Sequence, residues 1–186
     1  MPFIPTDFPG LLIFEPKVFE DSRGYFCETY NENIFKEQGI DIRWVQDNQS
    51  SSAYGVIRGL HFQSPPFAQA KLIRVIRGKI LDVVVDIRKG SPGYGKAHCK
   101  VLSAKNKRQL FIPKGFAHGF AVLSDKAEVF YKCDDFYHKE SEAGINYNDP
   151  TLAIDWRIPL EKAIISEKDV SLPGLADCKN SFVFDR

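Results

Sequence analysis

The stretch RGLHFQ, residues 58–63, sets a titratable ring between Leu60 and Phe62, with a cation three positions earlier. Alternation at a period of two puts Arg58, Leu60 and Phe62 on one face of a strand, and Gly59 and His61 on the other. A glycine inside a strand often marks a bulge that re-aims its neighbours, so Arg58 and His61 are expected to reach the same cavity. The plainer alternative for His61 is a packed ring satisfied by one hydrogen bond. Three more polar groups fall in β-rich segments: Lys71, sharing a face with Ile73 and Val75; His118, between Ala117 and Gly119; and Tyr131, between Phe130 and Lys132. Singly, Lys71 would snorkel and Tyr131 would turn its hydroxyl outward. As a set they are harder to explain by packing, because buried polar groups need partners. Neutral imidazole takes up a proton at physiological pH, a phenol returns one, and an ammonium stabilises an enolate beside a carbonyl. Arginines grip phosphate or carboxylate through two parallel hydrogen bonds. Such a set suits proton abstraction α to a ketone and re-protonation from the other face, which is epimerisation.

Other chemistries find less support. The four histidines, His61, His98, His118 and His138, form no HxH or HExxH, and the four cysteines, Cys27, Cys99, Cys133 and Cys178, form no CxxC. A metal needs three or four converging ligands, so no metal site is expected. His98 and His138 stand among lysines and read as solvated. A Ser nucleophile elbow, a P-loop and GxGxxG are absent. The unpaired cysteine spacing points to free thiols in a reducing compartment.

These residues must be positioned by strands. LIRVIRGKILDVVVDIRKGSPGYG reads as two β-rich runs joined at Arg77-Gly78 and closed by a Gly/Pro/Ser turn, and further runs follow with short punctuation. No long helical pattern intervenes between about residues 43 and 137, which favours an antiparallel sandwich or barrel over a βαβ sheet. A two-sheet or closed β-roll protects its own edges and holds a ligand in its mouth. Helices are minor: NENIFKEQG carries an Asn N-cap and a Gly stop, Asp149-Pro150 opens a short helix through Ala153, and EKAIISEKD offers one more turn. With 186 residues, 44% apolar and a net charge of +1, the chain fits one globular domain spanning 1–186. That balance gives no global field for nucleic acid or a membrane surface. LLIF is too short for a leader's apolar core or a membrane span.

Denser motifs carry a resemblance. DSRGYFCETYN (21–31), VQDNQSSSAYGVIRGLHFQ (45–63), AKLIRVIRGKILDVVVDIRKGSPGYGK (70–96), FIPKGFAHGFAVLSDKAEVFYKCDDFY (111–137), NYNDPTLAIDW (146–156) and ISEKDVSLPGL (165–175) resemble, in order, the dTDP-4-dehydrorhamnose 3,5-epimerases. The resemblance implies a mainly β, cupin-like double-stranded β-helix (jelly roll) with a few short peripheral helices. It implies epimerisation at C3 and C5 of dTDP-4-dehydro-6-deoxy-D-glucose, with no cofactor, in a cytoplasmic homodimer upstream of cell-surface polysaccharide. His61 is then the base, Tyr131 the acid on the opposite side, Asp169 the carboxylate that orients His61, and Lys71 the group facing the C4 oxygen. Arg23, Phe26 and Glu28 fall beside the nucleotide, on an N-terminal segment exchanged between protomers. Gln46, Asp47 and Asn48 line the nucleotide region, Arg58 and Lys168 suit the diphosphate, His118 lies by the sugar, Tyr137 stacks on the base and Glu142 touches the ligand. For Lys168 and Glu142 the alternative is a solvated face, and for Asp47 a turn residue. Competing functions are a single-centre epimerase, a ketoisomerase of another dTDP-4-keto-deoxysugar, and a sugar-nucleotide-binding or edge-assembling β-roll without turnover.

Overall fold

Strand follows strand through most of the chain because β-branched and aromatic residues alternate there with polar ones. The computed structural model describes residues 2–185. In chain order the elements are β1 (Phe3–Pro5), β2 (Leu12–Phe14), β3 (Val18–Asp21), β4 (Gly24–Cys27), α1 (Glu32–Glu37), β5 (Gln46–Ala53), β6 (Ile57–Gln63), β7 (Lys71–Arg77), β8 (Lys79–Asp86), β9 (Ala97–Ser103), β10 (Gln109–Ile112), β11 (Phe116–Val122), β12 (Lys126–Cys133), β13 (Glu142–Gly144) and α2 (Glu167–Val170). Two antiparallel sheets form the body, one of six strands ordered β1-β2-β10-β7-β12-β5 and one of five ordered β13-β6-β11-β8-β9, while β3 and β4 make a separate hairpin. This is the cupin-like jelly roll expected from the resemblance. The β7–β8 junction falls at Gly78, whose φ of +78° suits glycine in the tight reversal.

Three apolar layers hold the sheets. Ile73, Val75, Ile80, Val84, Phe120 and Val129 interdigitate between them. The other face of β8, with Leu81, Val83 and Val85, packs under the C-terminal coil through Trp156 and Ile158. Burial on both faces is why the β8 sequence is almost continuously apolar. A third cluster covers the far side of the six-stranded sheet, where Phe35 of α1 meets Phe3, Phe14 and Leu72. Asn31 caps α1 as its side chain accepts from the Asn33 N–H, as the sequence predicts.

Two expectations need correction. No helix opens at Asp149: its carboxylate accepts from Thr151 N–H at 2.7 Å and Leu175 N–H at 2.6 Å, which favours a side-chain-closed turn over helical bonds. His98 and His138 are not solvated. His98 is half-buried beside Phe8, with Nε2 lacking a partner, and His138 stacks on Phe67 at 3.6 Å.

The C-terminal coil is pinned beyond β8. Buried Asp86 accepts from Arg88 N–H, Nε and Nη2 at 3.0, 2.9 and 2.7 Å and from the Ser91 hydroxyl at 2.6 Å. The Arg88 guanidinium lies over Phe116 at 4.2 Å and Phe184 at 4.9 Å. Lys89 N–H donates to Phe182 C=O, and Phe184 N–H to Lys89 C=O, both at 2.9 Å. Breaking a buried ion pair from one side leaves an uncompensated charge and costs about 3–5 kcal/mol. Asp86→Ala should therefore lower unfolding stability by about that amount in urea titration, and a loss under about 1 kcal/mol would show that the cluster is dispensable.

Candidate active site

Parity decides which side chains of β6 face the space between the sheets. His118 on β11 is opposite His61, and Phe120 is opposite Arg58, so two residues on β11 span three on β6. The extra residue is the predicted bulge. Gly59 sits there with φ +104°, and a Cβ would meet His118 C=O at 2.6 Å and Gly119 Cα at 2.7 Å. Only glycine fits. The bulge shifts the alternation by one, so Ile57 joins the outer cluster while Arg58 and His61 line one cavity.

The carboxylate that orders this bulge comes from far along the chain. Asp169 accepts from Gly59 N–H at 3.0 Å and from His61 Nε2 at 2.8 Å. It sits on α2, where the Ser166 hydroxyl accepts from Asp169 N–H at 3.1 Å as an N-cap. The segment before α2 is laid against the β5–β6 turn, with Ile164 N–H donating to Gly55 C=O at 2.9 Å and Ile57 N–H to Ile164 C=O at 3.0 Å. Gly55, at φ +85°, permits this contact, since a Cβ would lie 2.2 Å from Lys162 C=O. A carboxylate only accepts, so the His61 nitrogen facing it carries the proton and Nδ1 keeps its lone pair in the neutral ring. Burial pushes the His61 pKa below its ordinary value against the pull of Asp169, which favours that neutral ring.

The opposite sheet supplies the phenol and the ammonium. Tyr131 on β12 and Lys71 on β7 face inward. Burial pushes the Tyr131 pKa up, keeping the phenol protonated, and burial pushes the Lys71 pKa down. Lys71 Nζ lies 6.0 Å from the Tyr131 ring centroid. One cavity of about 550 Å³ is lined by Arg58, His61, Lys71, His118, Tyr131, Lys168 and Asp169 among others. A second, of about 390 Å³, is lined by Gln46, Asn48, Gln63, Gln69, Tyr137 and Glu142. His61, Lys71 and Tyr131 line both, so they stand where the two meet. Two cations, Arg58 and Lys168, mark the first cavity, and amides mark the second.

At the rim, the Tyr137 hydroxyl donates to Glu142 at 2.9 Å, and Lys168 Nζ pairs with Glu142 at 2.6 Å. Burial pushes the Glu142 carboxyl up, but Lys168 and Tyr137 outweigh it and the net shift is down. Lys168, still 55% exposed, and Glu142 are thus paired with each other at the cavity rim.

Four expected residues lie outside both cavities. Asp47 alternates to the outer face of β5 and pairs with Lys132 at 3.0 Å. Arg23 is bonded to Asp21, Phe26 is 68% exposed, and Glu28 accepts from Asn31 at 3.0 Å, all on or just after the β3–β4 hairpin. Three residues were not singled out from the sequence. Asp82, wholly buried, bonds His118 Nε2 at 2.9 Å. Ser52 accepts from Arg58 Nε at 3.1 Å. Gln63 holds a loop described below. Asp82 had a signal, since a lone acid inside ILDVVV requires a buried partner. No cluster of three His, Cys, Asp or Glu side chains able to hold a metal occurs among the described residues.

Residues 5–177 match the family described as dTDP-4-dehydrorhamnose 3,5-epimerase. The chain is 52% identical over 172 residues to the dTDP-4-dehydrorhamnose 3,5-epimerase of Shigella flexneri, covering 92% of this chain and 94% of that one. Its fold is similar to the dTDP-4-dehydrorhamnose 3,5-epimerase of Elizabethkingia anophelis NUHP1, with TM-score 0.91 and 50% identity over 94% of this chain and 96% of that one. It is likewise similar to the dTDP-6-deoxy-D-glucose-3,5-epimerase of Legionella pneumophila Philadelphia 1 in complex with dTDP-4-keto-L-rhamnose, with TM-score 0.90 and 49% identity over 94% and 93% of the two chains. Motif order, a jelly roll with its polar groups between the sheets, and these likenesses converge: the chain belongs to the dTDP-4-dehydrorhamnose 3,5-epimerase family.

Proposed function

We propose that the protein epimerises dTDP-4-dehydro-6-deoxy-D-glucose at C3 and C5 to dTDP-4-dehydro-L-rhamnose, a step of dTDP-L-rhamnose biosynthesis. The observation that carries this reading is the meeting of imidazole, phenol and ammonium at the junction of the two cavities, with the imidazole and the phenol on opposite sheets. C3 and C5 both flank the C4 ketone, so each C–H bond is acidified by the same carbonyl. His61 removes a proton from one face, and the electron pair moves onto the C4 oxygen as an enolate held by Lys71. Tyr131 delivers a proton from the opposite face, inverting the centre. The imidazolium then loses its proton to solvent and the phenolate regains one, so the cycle balances without oxidant, metal or cofactor.

His118, fixed by Asp82, lies by the sugar, and Arg58 and Lys168 receive the diphosphate. Tyr137 stacks on the base and Glu142 touches the ligand, among the amides of Gln46 and Asn48. The chain is read as a single domain over 1–186 acting in the cytoplasm. It takes a dTDP-sugar, without nucleic acid or membrane as partner. Arg23, Phe26 and Glu28 serve the neighbour's site in a homodimer. What supports exchange is the β3–β4 hairpin, which leaves Phe19, Tyr25 and Phe26 53%, 59% and 68% exposed.

Incubation with the sugar nucleotide in D2O, followed by NMR, should show deuterium at both C3 and C5. His61→Asn should lose about 10²–10⁴-fold of the exchange at both centres. Tyr131→Phe should keep part of the proton abstraction but lose inverted product. Label at one centre only would make the protein a single-centre epimerase, a moved keto group a ketoisomerase, and no label a binding module.

Abstraction requires neutral His61, whose pKa lies below the ordinary 6.5. Activity should therefore rise with pH through a midpoint under 6.5 and be level by neutrality. An acid limb centred at or above 6.5 would contradict a buried base.

Multi-angle light scattering should report a dimer at micromolar concentration, and a monomer would remove the exchanged hairpin from the site.

A further inference from the structure

Tyr137 presents an exposed ring on a loop with no regular secondary structure, between the end of β12 and the short turn at Lys139–Ser141. A stacking platform must nevertheless be held still, and the loop's own backbone cannot do that. Three glutamines lining the second cavity do. Gln69 Nε2 donates to Asp135 C=O at 2.7 Å, and Tyr137 N–H donates to Gln46 Oε1 at 3.1 Å. Gln63 grips both sides of the ring: its Nε2 donates to Phe136 C=O at 3.1 Å, and its Oε1 accepts from His138 N–H at 2.6 Å. The same Nε2 donates to Phe67 C=O at 2.7 Å, tying the loop to the turn after β6.

Gln63 is 5% exposed and both its amide hydrogens are committed. It therefore has no donor left for a ligand, although it lies on the cavity wall. Its position follows from the strand, because residues 61 and 63 share a face past the bulge. The strand that aims His61 thus also anchors the loop bearing Tyr137.

We infer that Gln63 is a positioning residue for nucleobase recognition, fixing the Tyr137 ring as a platform for the thymine of the substrate. This rests on the reading of Tyr137 as the base-stacking residue. It acts on binding of the nucleoside end and not on proton transfer, because its hydrogen bonds run to the loop and none reaches His61, Lys71 or Tyr131. Gln63→Met keeps the side chain's length and removes every one of those bonds. Gln63→Glu keeps the acceptor for His138 N–H and loses the donors.

Gln63→Met should raise KM for the sugar nucleotide, and the inhibition constant of thymidine diphosphate, by about 5- to 150-fold, the range spanned by loss of one base–aromatic stack. Its kcat should stay within about threefold, and inhibition by inorganic pyrophosphate, which meets only the cations, should not change. Gln63→Glu sets a carboxylate oxygen against the Phe67 and Phe136 carbonyls and should weaken thymidine diphosphate at least as much as Gln63→Met, again without changing pyrophosphate. Added to Gln63→Met, Tyr137→Ala should weaken thymidine diphosphate by less than about threefold, since two residues serving one contact are not additive. Full additivity, or equal weakening of thymidine diphosphate and pyrophosphate, would overturn the inference, as would loss of kcat with KM unchanged. If Gln63→Met does not fold, Gln63→Leu, shorter and equally without donor or acceptor, decides by the same split. Wild type without deuterium incorporation would defeat the epimerase reading alone, because calorimetry with thymidine diphosphate and pyrophosphate tests the platform without turnover.

Discussion

One carboxylate ties the site to the fold. Asp169 accepts from the N–H of the bulge at Gly59 and from the ring of His61 two residues later. The first bond holds the irregularity that brings Arg58 into the cavity. The second fixes which nitrogen of His61 keeps a lone pair. A buried acceptor with two donors in place is also far cheaper than one without. Neither partner is local, since the sequence separations are 110 and 108 residues. The C-terminal coil is therefore part of the site's construction, and the Asp86–Arg88 cluster fixes the far end of that coil at Phe182 and Phe184.

The interior is polar around the two cavities and apolar elsewhere, and the sheets allow both. Between them, the inward positions of β7 pass from Lys71 to Ile73 and Val75, and those of β12 from Tyr131 to Val129 and Ala127. Each strand contributes to the dry core at one end and to the cavity at the other. The core thus sets the strand registers, and the registers set how imidazole, phenol and lysine amine face one another. Burial does chemical work as well: it lowers the pKa of His61 and raises that of Tyr131, so both are neutral at physiological pH, one able to accept and the other to donate.

Much of this was legible in the sequence, for reasons that differ by residue. The bulge followed from a glycine in a strand, and the helix at Asn31 from its cap and stop. Lys71 and Tyr131 stood out as polar groups in apolar strands. Asp82 sits in such a run too, and a lone buried acid needs a partner, but nothing local says that the partner is His118 on the neighbouring strand. Ser52 and Gln63 act through tertiary contacts that periodicity cannot register. Asp47 shows the converse: it lies inside a motif shared with the family, yet alternation between Gln46 and Asn48 sends its side chain outward. Local neighbours misled at His98, where flanking lysines suggested solvent and the strand instead packs the ring against Phe8.

Two imidazoles, each bonded through Nε2 to an aspartate, line the same cavity from adjacent strands, and their accessibility separates their uses. The His61 side chain is 30% exposed, and its strand runs along the meeting of the two cavities. The His118 side chain is 9% exposed, lines only the first cavity, and has a wholly buried partner. A base must exchange its proton with solvent in every cycle, so an enclosed imidazole would trap the charge it acquires. His61 has the solvent access that the proposed base requires, and His118 does not. The same pairing of ring and carboxylate thus stands open to solvent on one strand and enclosed on the next, and the proposed division of roles between base and sugar contact follows that difference in burial.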